Sequence, residues 1–292
     1  MQITAKVVKG VQIGAKFGIA TANLELRTLP DIKEGVYLVE VVSDGEMYGG
    51  LLHFGPRKTF GGDFSAEVHI LDFTKDIYGE TISLTVGKKL REVKAFKNAD
   101  QLFTQIETDI VMARKHFLRR TIWNKWMDLS LADQAHLASE AIRHLSGTSQ
   151  FLEAKTVFVY APQLGKEVTF VAQLMEAFPD KKYVFPRVVK KELQFFKVTA
   201  YETLEMGTFG LLEPSQGLEI EPKESDLMLL PAVAADKQGN RLGQGGGFYD
   251  QYLAALKASP KCMAVLPSFA VVAEVPTQKH DQKLSKVIKC EL

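Results

Sequence analysis

The feature that most constrains the fold of this chain is a change of periodicity near Asn98. Before it, apolar and polar residues alternate with period two in runs broken by turn signals: Gly35 to Val42, Met47 to Phe54, Ala66 to Phe73 and Thr81 to Val86. Alternation of this kind places successive side chains on opposite faces of strands, and Asp44-Gly45 between the first two runs predicts a hairpin turn. Strands without intervening helices predict an all-β antiparallel barrel or sandwich. After Asn98, Leu102, Ile106 and Ile110 recur at helical spacing. Beyond them strands (156 to 160, 182 to 188, 226 to 230, 263 to 267) alternate with helices (129 to 145, 170 to 178), which predicts an α/β domain with a mostly parallel sheet. A length of 292 residues also favours two domains. We place them at 1–112 and 113–292, with the boundary in or between helices near Val111 to Lys115.

Composition narrows the setting. Lys and Arg number 36 against 35 Asp and Glu, a net charge of +1, which argues against a nucleic-acid partner. Cys262 and Cys290 are the only cysteines and lack metal-ligand spacing, so a reducing, cytoplasmic location is expected. The N-terminus carries no signal-peptide core, and no apolar run approaches the ~20 residues that would cross a membrane.

The densest chemistry lies in Arg241-Leu242-Gly243-Gln244-Gly245-Gly246-Gly247-Phe248-Tyr249-Asp250. Glycines let backbone N–H groups approach a phosphate with no Cβ in the way. Arg241 suits phosphate oxygens and Asp250 suits the accompanying Mg²⁺. The apolar run from Asp226 to Leu230 reads as the preceding strand, and Tyr249 to Lys257 as the following helix, the context in which such a loop binds phosphate. Elsewhere the residues leave alternatives open. Asp281, after His280, reads as a second metal carboxylate or as a helix N-cap. Lys115 and Arg119, one helical turn apart, read as a paired cationic site or as a solvated helix face. Glu167 reads as a ligand for N–H donors or as an exposed loop carboxylate.

Taken together and in order, these motifs resemble 5-formyltetrahydrofolate cyclo-ligases, also called methenyltetrahydrofolate synthetases. The resemblance covers residues 113 to 292. It rests on Lys115-x-x-Leu118-Arg119, Gly165-x-Glu167-Val168, Phe185-Pro186-Arg187, Gly207 through Glu213-Pro214, Leu230-Pro231 to Gly243, the glycine loop and His280-Asp281. It implies ATP- and Mg²⁺-dependent closure of 5-formyltetrahydrofolate to 5,10-methenyltetrahydrofolate. The formyl oxygen is phosphorylated, N10 attacks, and phosphate leaves. It further implies that Lys115, Arg119, Arg241, Leu242, Gly243, Gln244, Gly245, Gly246 and Gly247 hold ATP, Asp250 and Asp281 hold Mg²⁺, and Glu167, Phe248 and Tyr249 meet the folate. The chain departs from the family at Gln244 (usually Tyr or Arg), Ala270 (usually Gln) and Cys290 (commonly Thr).

The first half carries a second resemblance. Gly10-x-x-x-Gly14, Gly18 to Leu24 with Thr21-Ala22-Asn23, Gly49 to Gly55, Thr59-Phe60, Glu67 to Phe73 and Asp76 to Gly79 are similar to riboflavin kinase, whose Greek-key barrel ends in a helix. The resemblance covers about residues 4 to 112 and implies phosphorylation of riboflavin to FMN, without FAD synthesis. Glu67 matches the family's catalytic base, Thr21 and Asn23 its Mg²⁺ and ATP ligands, and Gly10 and Gly14 its nucleotide-covering loop. Strand alternation puts Glu67 and His69 on one face. Ala15, Ala20, His53 and Lys58 replace residues usual in the family, with Lys16 a substitute cation. The resulting expectation is a bifunctional ATP enzyme acting on 5-formyltetrahydrofolate and riboflavin. The competing one is a cyclo-ligase whose barrel binds flavin or nucleotide without turnover.

Overall fold

The computed structural model describes residues 1–10, 18–26, 28–59 and 63–292. Gly14, with Ala15 and Lys16, and Phe60 lie outside them. The period-two segment folds as β1 (Gln2–Val8), β2 (Ala22–Glu25), β3 (Gly35–Ser43), β4 (Glu46–Pro56), β5 (Phe64–Ile70) and β6 (Thr81–Arg91). They close into an antiparallel barrel in the order β1-β2-β5-β4-β3-β6, so neighbouring strands are joined out of sequence as in a Greek key. Closure leaves no unpaired sheet edge. Asp44 and Gly45, with φ of 51° and 78°, form the expected tight turn between β3 and β4.

Alternation is clean on β1, where Ile3, Ala5 and Val7 point inward. On β3 both faces are buried. Val39 and Val41 fill the barrel, while Val36 and Leu38, with Leu51 of β4, pack outside it against Ile110, Ala113 and Phe117. Those three belong to α1 (Ala99–Met127), a single helix of 29 residues. Gly49 is required by this packing: a Cβ there would lie 2.5 Å from the Phe117 ring.

The chain divides into two compact units, Met1–Phe117 and Leu118–Leu292. The division falls inside α1, five residues beyond the expected boundary and with no linker. Leu118, Ile122 and Trp126, further along the same helix, join the core of the second unit.

That unit contains α2 (Leu131–Ser146), α3 (Ser149–Glu153), β7 (Thr156–Phe158), α4 (Val171–Ala177), β8 (Lys182–Val189), β9 (Glu192–Val198), β10 (Leu204–Met206) and β11 (Leu212–Pro214). It continues with β12 (Leu227–Leu229), β13 (Ala234–Asp236), β14 (Arg241–Leu242), α5 (Phe248–Ala255), β15 (Lys261–Pro267), β16 (Val271–Val272) and β17 (Lys286–Cys290). The main sheet runs β17-β15-β12-β7-β8-β9, parallel except for β9 at one edge. Apart from their first residues Thr156 and Lys261, its central strands are apolar and buried because both faces are covered. From β7 the chain moves outward to β8 on one side and later returns to β12 on the other. The loops after β7 and β12 therefore flank a topological switch point, where sheets of this kind bind ligands.

The order expected around the glycine run needs correcting. After β12 the chain first makes the β13/β14 hairpin, whose β13 also pairs with β16 in a separate three-stranded sheet. The loop thus follows β14 rather than the buried parallel strand. Buried Asp236 fixes the hairpin by accepting from the backbone N–H groups of Gln238, Asn240 and Val275 and from Asn240 Nδ2.

Candidate active sites

In the barrel, strand register assembles the first site. On β5, Glu67 stands opposite Asn23 of β2 on one side and His53 of β4 on the other. Thr21 donates to Glu67 Oε2 at 3.3 Å. Ser65, two residues back on the same face, donates to Oε1 at 2.9 Å. Arg57 donates from Nε to Oε1 at 2.7 Å and from Nη2 to Asn23 Oδ1 at 2.9 Å. Burial raises the Glu67 pKa, but the Arg57 guanidinium, with the Ser65 hydroxyl, outweighs it, and the carboxyl sits below its ordinary value. His53, which hydrogen-bonds the Gly55 carbonyl at 3.2 Å, is pushed down by burial although Glu67 opposes this.

Gly10 abuts the same group, since a Cβ there would fall 1.9 Å from Asn23 Nδ2. Two cavities open beside Glu67. One, of about 510 Å³, is lined by Lys9, Gly10, Asn23 and Ser65 among others. The second, of about 170 Å³, includes Thr21, His53, Glu67, His69, Arg91 and Asp109 in its wall. Arg91 and Asp109 form a buried ion pair at 2.7 Å there. Arg57 and Ser65 are the contacts that sequence reasoning missed. Ser65 was findable from its i, i+2 relation to Glu67. Arg57 reaches Glu67 only through the β4–β5 pairing, although it follows Gly55-Pro56, a signal of a bend beside the site.

In the second unit, the turn after β7 carries Glu167. It is not an exposed loop carboxylate: it is 7% exposed, accepting from Gln163 N at 2.9 Å and from Gln244 Nε2 at 3.0 Å. Burial dominates, and its pKa is raised. Gln244 thus ties the glycine loop to Glu167. Within the loop, Gly245 (φ 104°) and Gly247 (φ 71°) adopt backbone conformations that disfavour a side chain, and Gly247 leads directly into α5. Arg119 donates from Nε to the Gly243 carbonyl at 2.8 Å. Burial lowers its pKa while nearby Asp281 opposes that.

Lys115, four residues earlier on α1, is 8% exposed, so this stretch is not a solvated face. Arg241 turns beneath the loop, donating from Nη1 to the Pro231 carbonyl at 2.8 Å and from Nη2 to Asp250 Oδ1 at 2.9 Å. Its Nε is buried with no partner among the described residues. Gln282 N also donates to Asp250 Oδ1, at 3.0 Å, which brings the turn of Asp281 to the loop. No helix begins at Asp281, so the N-cap alternative fails; its carboxylate instead accepts from Gln278 N at 2.7 Å. Phe248 packs against the exposed Phe209, ring centroids 5.7 Å apart. Tyr249 points inward, its hydroxyl buried without a partner among the described residues.

The comparisons with known proteins agree with this division. The model of the 5-formyltetrahydrofolate cyclo-ligase family matches residues 111–290, more than half of the chain. The chain belongs to the 5-formyltetrahydrofolate cyclo-ligase family. The riboflavin kinase model matches residues 1–117, so the chain also carries a riboflavin kinase domain. The NMR structure of an Aquifex aeolicus 5,10-methenyltetrahydrofolate synthetase superposes with a TM-score of 0.53 at 30% identity, covering 60% of this chain and 89% of that one. An Escherichia coli bifunctional riboflavin kinase/FMN adenylyltransferase is 38% identical over 117 residues, 39% of this chain and 37% of that protein. An RNA-binding riboflavin kinase of Bacillus subtilis is 34% identical over 117 residues, half the length of that protein. The chain thus spans half or less of the length of these curated relatives.

Both families use ATP and Mg²⁺, and the residues present fit a hard cation. Thr21 and Asn23 offer a hydroxyl and an amide oxygen; Asp250 and Asp281 offer carboxylates on adjoining turns. Among the described residues no three His, Cys, Asp or Glu side chains converge, so phosphate and water would complete either shell, as Mg²⁺ prefers. Among the described residues no helix is long and apolar enough to cross a membrane.

Proposed function

We propose that the chain catalyses two ATP-dependent reactions in two self-contained sites, one in each unit: closure of 5-formyltetrahydrofolate to 5,10-methenyltetrahydrofolate, and phosphorylation of riboflavin to FMN. The observation that carries this reading is that each unit holds its own inward-set glutamate, partly buried at Glu67 and buried at Glu167, beside its own phosphate-competent backbone: Glu67 beside Gly10 and Asn23, and Glu167 bonded to the glycine loop through Gln244. We assign residues 1–112 and 113–292 to the two activities, with the shared helix joining them. Bound Mg²⁺ would neutralise phosphoryl charge at Thr21 and Asn23 in one unit and at Asp250 and Asp281 in the other.

In the barrel, Glu67 Oε2 accepts the proton of the riboflavin primary alcohol as its oxygen attacks the γ-phosphorus of ATP. Gly10 leaves room for the nucleotide beside Asn23. Within residues 113–292, Lys115, Arg119, Leu242 and the backbone from Gly243 to Gly247 hold ATP. Arg241 orients Asp250 from below. Glu167, Phe248 and Tyr249 line the folate side, with Glu167 receiving pterin N–H donors. Phosphorylation turns the formyl oxygen into a leaving group, so these residues act chiefly by positioning and charge neutralisation. The substrates are small molecules, and with a net charge of +1 we propose no nucleic-acid partner and a cytoplasmic location.

A second reading, a cyclo-ligase with a non-catalytic flavin- or nucleotide-binding barrel, is favoured by one observation: Glu67 is paired with Arg57 rather than open to an alcohol. Purified protein incubated with Mg-ATP and either riboflavin or 5-formyltetrahydrofolate separates them. We expect FMN and methenyl-folate respectively; absence of FMN at high enzyme concentration would leave the second reading.

A further inference from the structure

Arg57 is the one residue, among those described, that lines both cavities of the barrel. Its guanidinium therefore stands where the two cavities meet, which on the kinase reading is where the nucleotide and the alcohol would approach each other. Its fork is divided: Nε serves Glu67 and Nη2 serves Asn23, so neither partner is gripped bidentately. A phosphate offers the bidentate geometry that guanidinium prefers. The pair is also only partly buried, at 25% and 20% side-chain exposure, so leaving it carries a small desolvation cost. Glu67 Oε1 meanwhile has both lone pairs occupied, by Arg57 and Ser65.

We propose that Arg57 is a positioning residue with two stations: it clamps Glu67 and Asn23 in the nucleotide-free chain, and turns to the γ-phosphoryl group when ATP fills the larger cavity. The inference rests on the kinase reading. Its consequence is access: while Arg57 is clamped, Glu67 Oε1 is fully engaged by Arg57 and Ser65, and once Arg57 leaves, one of those positions opens beside the substrate. The alcohol proton then passes to Glu67, the oxygen–phosphorus bond forms, and the bond to ADP breaks, with Arg57 offsetting charge on the phosphoryl oxygens. The other groups around Glu67 remain in both stations: Thr21 and Asn23 from β2, His53 from β4, Ser65 from β5. The same holds for Lys58, His69 and the Arg91–Asp109 pair in the cavity wall.

The test uses the intact chain carrying Arg57→Met or Arg57→Lys, with folate cyclisation as the internal check on folding. In Arg57→Met we expect kcat for FMN formation at pH 7.5 to fall about tenfold or more, with partial recovery in Arg57→Lys. Titration calorimetry should show a non-hydrolysable ATP analogue binding about tenfold more weakly, ADP nearly unchanged, and Arg57→Lys in between. Unchanged analogue affinity in Arg57→Met, or equal weakening of the analogue and ADP, would overturn the proposal. Wild-type protein that makes no FMN would instead sink the kinase reading, and the analogue titration would still decide whether Arg57 reaches the phosphate.

Discussion

Glu67, partly buried, and Glu167, buried, both face a proposed substrate, and their electrostatic settings are opposite. Burial is the largest influence on each and pushes both pKa values up. At Glu67 a guanidinium at 2.7 Å, helped by the Ser65 hydroxyl, reverses the sign. At Glu167 the donors are neutral amides, Gln163 N and Gln244 Nε2, and burial wins. The difference teaches that the neighbours as well as the burial decide the kind of carboxylate. One is paired with a removable cation, which suits a group that must be opened to its substrate. The other is pushed toward protonation by burial, which its neutral donors offset only in part, and it gains its strongest bonds only when a substrate brings N–H donors.

The sharpest way to break this contrast is to remove each carboxylate in turn. Glu67→Gln should lower kcat for FMN formation by about 10³-fold, within the range of a lost general base, and leave folate cyclisation alone. A loss under tenfold would remove Glu67 from the chemistry. Glu167→Gln should raise KM for 5-formyltetrahydrofolate by about 30- to 100-fold, the equivalent of one or two charge-assisted hydrogen bonds. KM for ATP and the rate of FMN formation should not change. A predominant fall in kcat would mean that Glu167 acts on the reacting atoms.

Gln244→Leu should act more mildly and through pH. Without its amide the Glu167 carboxylate loses a donor to its charged form, its pKa rises further, and folate KM should increase about fivefold at neutral pH. The penalty should shrink as pH is raised and Glu167 ionises fully. A pH-independent penalty would mean that Gln244 contacts the substrate directly.

The smallest effect concerns stability. The folded pKa of Glu167 lies above its unfolded value, so at pH above both, folding carries the cost of a buried charge. As pH falls through the folded pKa the group takes up a proton and that cost disappears. Glu167→Gln should therefore raise the melting temperature of the second unit by about 2 °C at pH 8, with the gain fading toward pH 5. A destabilised variant at pH 8 would show that the two hydrogen bonds outweigh the burial cost.

Much of this was legible in the residues because the signals were local. Ile3, Ala5 and Val7 alternate and fill a barrel; Asp44-Gly45 turns; the apolar centres of β12 and β15 are buried strands. Where sequence reading stopped short, distant chain was responsible. Val36 and Leu38 are buried because α1 covers the outside of the barrel, so β3 does not alternate in burial. The helix runs unbroken through the boundary because its two halves serve different cores, which no linker composition could announce. Glu167 is buried because the switch point folds Gln244 over it from 77 residues away. Arg57 meets Glu67 across a strand pair, and Arg241 spends its Nη groups on Pro231 and Asp250 rather than on open space. Residue types and order revealed which groups matter; pairing between strands decided which groups touch.

The central claim is that the two sites work independently in one chain. Its most direct test is the Asp250→Asn protein, assayed side by side for methenyl-folate and FMN. We predict that folate cyclisation falls at least about 10²-fold while FMN formation stays within about twofold of wild type. Loss of both activities, or of neither, would contradict the account.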